Sequence, residues 1–245
     1  MMILAPETPV GQWVVERPSR ARLFERLGID YCCGGAKPLD RACQEQGLDV
    51  TTVLRELEAT EDGDVGPDGF DAAAATMTEL VDHIMAQHHA YLHRELPRLA
   101  ALADRVVTAH VVRHPELSDL RAVFRSLREE LTFHMLKEEK VLFPVIKRLE
   151  AAARMPELHC GTVINPIRVM EHEHDDAGAA LVRLRALTAG YTPPADACPT
   201  YRAMLDGLAE LEAELHLHIH EENNILFPRA RAAEDAFQPR GVVAG

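Results

Sequence analysis

No stretch of this chain approaches the ~20 consecutive apolar residues needed to cross a bilayer. Runs of lysine or arginine are also missing. With Lys+Arg 26 against Asp+Glu 39 the formal charge is −13, which argues against nucleic acid and anionic membrane surfaces as partners. The opening Met-Met-Ile-Leu-Ala-Pro-Glu lacks the basic segment and long apolar core of a secretory signal. The five cysteines (Cys32, Cys33, Cys43, Cys160 and Cys198) are odd in number and scattered, unlike a disulfide framework, so a reducing cytoplasm is the expected setting. No His-Glu-x-x-His occurs, which excludes the zinc-protease helix. Histidine is absent before His83, yet 13 histidines lie between His83 and His220. That skew divides the chain into two parts with different chemistry.

A chain of 245 residues, 47% of them apolar, can build one large domain with a smaller one attached. Residues 1–60 are predicted as a small helical domain. Its segments are Val10–Glu16 ahead of Pro18, Ser19–Leu27 stopped by Gly28, Pro38–Gln46 closed by Gly47, and Val50–Thr60. Between the second and third lies Asp30-Tyr-Cys32-Cys33-Gly-Gly, a turn that could display a thiol pair. Equally, the two cysteines could be small, partly buried residues before a Gly-Gly turn. Residues 61–75, rich in Gly, Pro and Asp, read as a linker.

Residues 76–235 are predicted as an all-α four-helix bundle, from four apolar seams spaced by three and four. The first seam is Asp82, Met85, His89, Leu92, Leu96, Leu99 and Ala103, with Pro97 expected to kink its helix. The second is Leu120, Phe124, Leu127, Leu131, His134, Glu138, Val141 and Val145. The third, in a helix opening at Asn165-Pro166, is Ile167, Met170, His174, Ala177, Leu181 and Leu184. The fourth is Leu208, Leu211, Leu215, His218, Glu222 and Ile225.

Each seam turns polar at one histidine, and the second and fourth add a glutamate one turn later. His134-x-x-x-Glu138 and His218-x-x-x-Glu222 each put an imidazole and a carboxylate on one helical face. The pattern is an internal repeat: His89 and His174 are 85 residues apart, and His134 and His218, like Glu138 and Glu222, are 84 apart. Two carboxylates and four imidazoles in an apolar interior would be prohibitive without a cation. A pair of metal ions shared by the two halves resolves this, with both carboxylates bridging. Imidazole and carboxylate without thiolate suit iron, manganese or zinc. Positions left open favour iron, since a structural zinc would close its coordination sphere. Seam phase selects His89 over His88, His174 over His172, and His218 over His216 and His220, which are expected at the surface or just behind the site. His83, His93, His110, His114 and His159 are expected at the surface or just behind the ligands, and Glu139, Glu173, Asp175 and Asp176 to be charges on helix faces.

His89, His134-x-x-x-Glu138, His174 and His218-x-x-x-Glu222 resemble the hemerythrin-like di-iron bundle. With Asp30-Tyr-Cys-Cys-Gly-Gly35 ahead of it, nearly the whole chain resembles the repair of iron centres family. That resemblance implies a cytoplasmic iron–sulfur cluster repair protein of the response to nitrosative and oxidative stress. It would carry two non-haem iron ions under an oxo or hydroxo bridge. His89, His134, His174 and His218 would be terminal ligands, Glu138 and Glu222 bridges, and Cys32 and Cys33 the family's cysteine motif. Damaged iron–sulfur proteins would be the recipients of donated iron, nitric oxide or oxygen a small ligand, and a homodimer an open assembly state. The protein is then expected to be an iron donor rather than a conventional enzyme. The alternatives are a di-iron nitric oxide reductase, or an oxygen or nitric oxide sensor. The N-terminal module is expected to dock over the bundle with Cys32 and Cys33 near the metals.

Overall fold

The computed structural model describes residues 4–60 and 69–237. Among these residues the backbone is helical apart from turns and one isolated bridge between Pro9 and Pro38. The N-terminal module contains α1 (Val10–Glu16), α2 (Ala21–Leu27), α3 (Leu39–Glu45) and α4 (Val50–Glu58). These helices are too short to be stable alone and hold together through their own core, in which Trp13, Phe24, Tyr31 and Leu39 are buried. Gly28 ends α2 with φ 69°, a conformation that costs glycine little. Of the expected linker, residues 61–68 lie outside the described residues, and 69–75 form a bend and a turn.

The bundle has four antiparallel helices. Helix A joins α5 (Met77–Ile84) to α6 (Ala90–His110), and helix B joins α7 (Leu117–Lys137) to α8 (Phe143–Ala151). Helix C is the uninterrupted α9 (Ile164–Leu187), and helix D joins α10 (Pro199–Glu221) to α11 (Phe227–Asp235). Thr76 and Glu79 close a reciprocal capping box at the start of helix A. Helix C starts at Ile164, one residue before the expected Asn165 cap, because the Glu234 carboxylate of helix D accepts from the Val163 N–H and the Thr162 hydroxyl.

Helices A, B and D are each interrupted by one five-residue π turn: Met85–His89, Glu138–Leu142 and Glu222–Leu226. In B and D a proline stands two residues after the turn, Pro144 and Pro228. Its ring has no N–H to donate and would strike the carbonyl four residues back, and widening the preceding turn relieves both faults. Helix A passes through Pro97 as continuous helix and breaks regular winding at Met85–His89 instead.

The extra residue in that turn corrects the predicted first seam. Asp82 and Met85 are exposed, and Met77, Leu80, Val81 and Ile84 are buried in their place. In helix B, Val141 is half-buried while Leu142 and Phe143 fill the core. The seams of C and D are buried as expected.

The bundle core is in two parts. One contains Leu92, Leu131, Ala177 and Leu215, and the other contains Ile84, Leu142, Met170 and Ile225. On every helix the six polar seam residues fall between these two sets. They form a polar layer across an otherwise apolar interior.

Candidate metal centre

Glu138 and Glu222 are each 0% exposed, and His89, His134, His174 and His218 are buried beside them. The sequence-predicted set is therefore brought together in one place. Glu138 Oε2 lies 3.3 Å from both His89 Nε2 and His134 Nε2. Glu222 Oε2 lies 3.1 Å from His174 Nε2, and its Oε1 lies 3.2 Å from His218 Nε2. His174 Nε2 and His134 Nε2 face each other at 3.2 Å. The atoms form two groups, each within 4.8 Å: His89, His218, Glu138 and Glu222, and His134, His174, Glu138 and Glu222. Both carboxylates belong to both groups.

The fit to metal can be judged from atoms left without partners. Both oxygens of Glu138, Oε2 of Glu222 and Nε2 of His89 are buried without a hydrogen bond. Leaving such atoms unsatisfied costs about 1–3 kcal/mol each, and more for charged groups. Donor atoms about 2.0–2.2 Å from one ion sit roughly 3 Å from one another, and the separations above match. The arrangement suits metal ions bound by nitrogen and oxygen.

Without a cation, the electrostatics are strained. Burial and the facing Glu222 carboxylate both push Glu138 up, yet the His134 and His89 imidazoles outweigh them and hold it below the usual carboxylate range. Glu222 is likewise held well below that range by His218 and His174, against its burial. His134 resists its own burial and is raised to about 10 by Glu138 and Glu173. Burial dominates at His218, which is pushed down. The difference follows from their neighbours: His134 has a second carboxylate, while His218 has His88 and His89 beside it. A metal ion would take the place of the protons this cluster otherwise gathers.

The outer nitrogens of these rings are held unequally. His89 Nδ1 meets Glu139 at 3.0 Å, His134 Nδ1 meets Glu173 at 3.0 Å, and His174 Nδ1 donates to Asn223 Oδ1 at 2.8 Å. His218 Nδ1 is buried without a hydrogen bond. Glu173 is also paired with Lys137 and is lowered to about 2 by the His134 hydrogen bond ahead of its other contacts. Carboxylates and amides behind metal-binding histidines fix the ring orientation and tautomer. Glu139 and Glu173 therefore do more than the helix-face role expected for them. The signal was local: Glu139, Glu173 and Asn223 each adjoin a seam residue in sequence and reach sideways to a neighbouring helix.

Two further expectations need correction. His220 is buried, with Nδ1 3.4 Å from the Tyr31 carbonyl and its ring edge-on to Tyr31 at 5.4 Å. His110 is buried at the far end of the bundle, 3.2 Å from Cys198 Sγ. The N-terminal module sits against helix D. The Asn224 amide donates to the carbonyls of Tyr31 at 3.3 Å and Cys32 at 3.1 Å. The Cys33 thiol donates to the His174 carbonyl at 3.4 Å. Cys32 is buried, and the Cys33 thiol, burial and the Asp30 carboxylate raise it well above the usual thiol range. Among the described residues, no helix is long and apolar enough to cross a membrane.

Comparison with known proteins agrees with this geometry. Residues 80–230 match the hemerythrin HHE cation binding domain, and residues 6–61 match a domain of unknown function, DUF542. The chain is 39% identical over 228 residues to the iron-sulfur cluster repair protein YtfE of Enterobacter sp. (strain 638), covering 93% of this chain and 98% of that one. It is 38% identical to the protein of the same name from Escherichia coli O157:H7, with the same coverage. The Escherichia fergusonii protein of that name is 37% identical over the same span.

Proposed function

The chain belongs to the iron–sulfur cluster repair family built on the hemerythrin fold, and from that premise we propose that it repairs iron–sulfur clusters damaged by nitrosative or oxidative stress by donating iron from a di-iron centre. His89 and His218 would hold one ion and His134 and His174 the other, with Glu138 and Glu222 available to both. The observation that carries this reading is that each of the two buried carboxylates belongs to both groups of ligand atoms. When bound, the iron pair supplies transferable ferrous ions and open positions for small ligands.

The residues of the chain divide the remaining work. Glu139, Glu173 and Asn223 keep three imidazoles pointed inward by holding their outer nitrogens. The two apolar clusters keep bulk water from the polar layer. Asn224 ties the cysteine turn to the same π turn that carries Glu222, so a disturbance of the module reaches the site through one segment. The contact of Cys33 with the His174 backbone supports a role for the thiol at the edge of the centre.

The test uses protein loaded with isotopically labelled iron and a cluster enzyme damaged by nitric oxide. The expected result is recovery of activity with the label in the rebuilt cluster. Equal recovery with metal-free protein, or recovery without transfer of label, would sink the donor reading and favour turnover of nitric oxide at the centre.

A further inference from the structure

A third set of metal-binding atoms adjoins the centre. His83 lies in the last turn of α5, His88 lies in the π turn of helix A, and Glu221 closes α10 immediately before Glu222. One atom from each falls within 4.8 Å of the others. In a regular helix two consecutive side chains diverge by about 100°. The π turn instead lets both His88 and His89 be buried, and His88 lies parallel to His218 at 5.2 Å and 3°.

The set is organised as metal-binding groups are. Glu214 Oε1 sits 2.7 Å from His88 Nδ1, which keeps a proton on that nitrogen and leaves the Nε2 lone pair available. His88 Nε2 points at Glu221 Oε2 from 3.5 Å, and both atoms are buried without a hydrogen bond. His83 Nε2 lies 3.7 Å from Glu221 Oε1, and the stacked Phe70 ring holds its imidazole at 3.9 Å and 8°. Ligands about 2.1 Å from a tetrahedral ion stand roughly 3.4 Å apart, close to these separations. His83, His88, Glu214 and Glu221 also line a cavity of about 270 Å³ between the N-terminal module and helices A and D. That cavity leaves room for water or a passing ligand to complete the coordination.

We propose that His83, His88 and Glu221 bind a third, mononuclear divalent transition ion, ferrous iron first among them, beside the dinuclear pair. Two imidazoles and one carboxylate with open positions suit ferrous iron. Bound by three protein atoms and facing a cavity, this ion exchanges more readily than the pair. On the iron-donor reading, it is the ion next in line for delivery.

The test is an anaerobic titration of metal-stripped full-length protein with ferrous iron alone. Bound iron is counted per chain, and circular dichroism confirms the fold. Wild type is expected to bind three ions, and His83→Ala/Glu221→Gln two, with the absorption of the oxidised pair unchanged. His83→Ala alone, one helical turn from the pair, is expected to lower the third-step affinity without altering the first two. A wild-type total of two, or a third ion retained by the double variant, overturns the third site and leaves the dinuclear reading standing.

Discussion

Replacing Glu138 with glutamine tests the sharing of carboxylates directly. Glu138 Oε2 is equidistant, at 3.3 Å, from an imidazole of each metal group. If it spans both ions, one substitution weakens both. An ion at a hundred times its dissociation constant stabilises the folded chain by about 2.7 kcal/mol, so two contribute about 5 kcal/mol. In a chain of this length 1 kcal/mol moves the thermal midpoint by about 2–4 °C, so loading should raise it by roughly 10–20 °C. A glutamine oxygen carries no charge to share between cations. A thousandfold loss of affinity at each ion brings both contributions close to zero. The assay pairs calorimetry of stripped and loaded protein with a metal count. Glu138→Gln should bind neither ion tightly and show almost no shift. His174→Ala, which touches one group only, should keep one ion of the pair and about half the shift the pair contributes. If Glu138→Gln kept one ion and half the shift, the carboxylate would serve a single metal and the bridging argument would fail.

The remaining expectations concern the surroundings of the site. Against a chelator, the pair should empty in two phases, the His89/His218 ion leaving first because His218 Nδ1 has no partner. Glu173→Gln should then speed the slow phase by about 10–100-fold, and a single phase in wild type would contradict the assignment. Burial pushes His220 down from 6.5 to about 4. Its contribution to stability is therefore complete above pH 6.5 and is lost as pH falls through about 4. Fluorescence of Trp13, the sole tryptophan, should report loosening of the module across that window, and an unchanged transition in His220→Asn would refute the cause. Asn224→Ala takes the side-chain donor from the Cys32 carbonyl and leaves the Tyr31 carbonyl with His220 alone, at about 1–3 kcal/mol. Alkylation of Cys33 should accelerate in that variant. Gly35→Ala, whose added carbon would overlap the Asn224 side chain, should produce the same acceleration.

The six central residues were legible in the sequence because a seam and a repeat select them independently. Seam phase chose His174 over His172 and His218 over its neighbours, and the spacings of 84 and 85 residues paired the two halves. What the sequence hid was the winding. A period of three and four assumes a regular helix, so the π turn at Met85–His89 shifted the phase and misplaced Asp82 and Met85. The same shift buries His88 next to His89, where regular phase allows only one of them inside. Prolines at Pro144 and Pro228 hinted at the turns in B and D, but helix A has no proline immediately after its own. The repeat also hid an inequality. It copies the ligand atoms into both halves but not what stands behind them. Glu139 and Glu173 support the first-half histidines, Asn223 supports His174, and His218 has nothing. Because the groups combine histidines from both halves, His134 and His174 are both braced, whereas His89 is paired with the unbraced His218. On the proposed reading, a symmetric ligand set would hold two unequal ions, and the looser one would lie beside His88, whose ring stacks on His218 at the edge of the proposed third site. An iron donor needs such an inequality, because one ion must leave without the bundle losing the other.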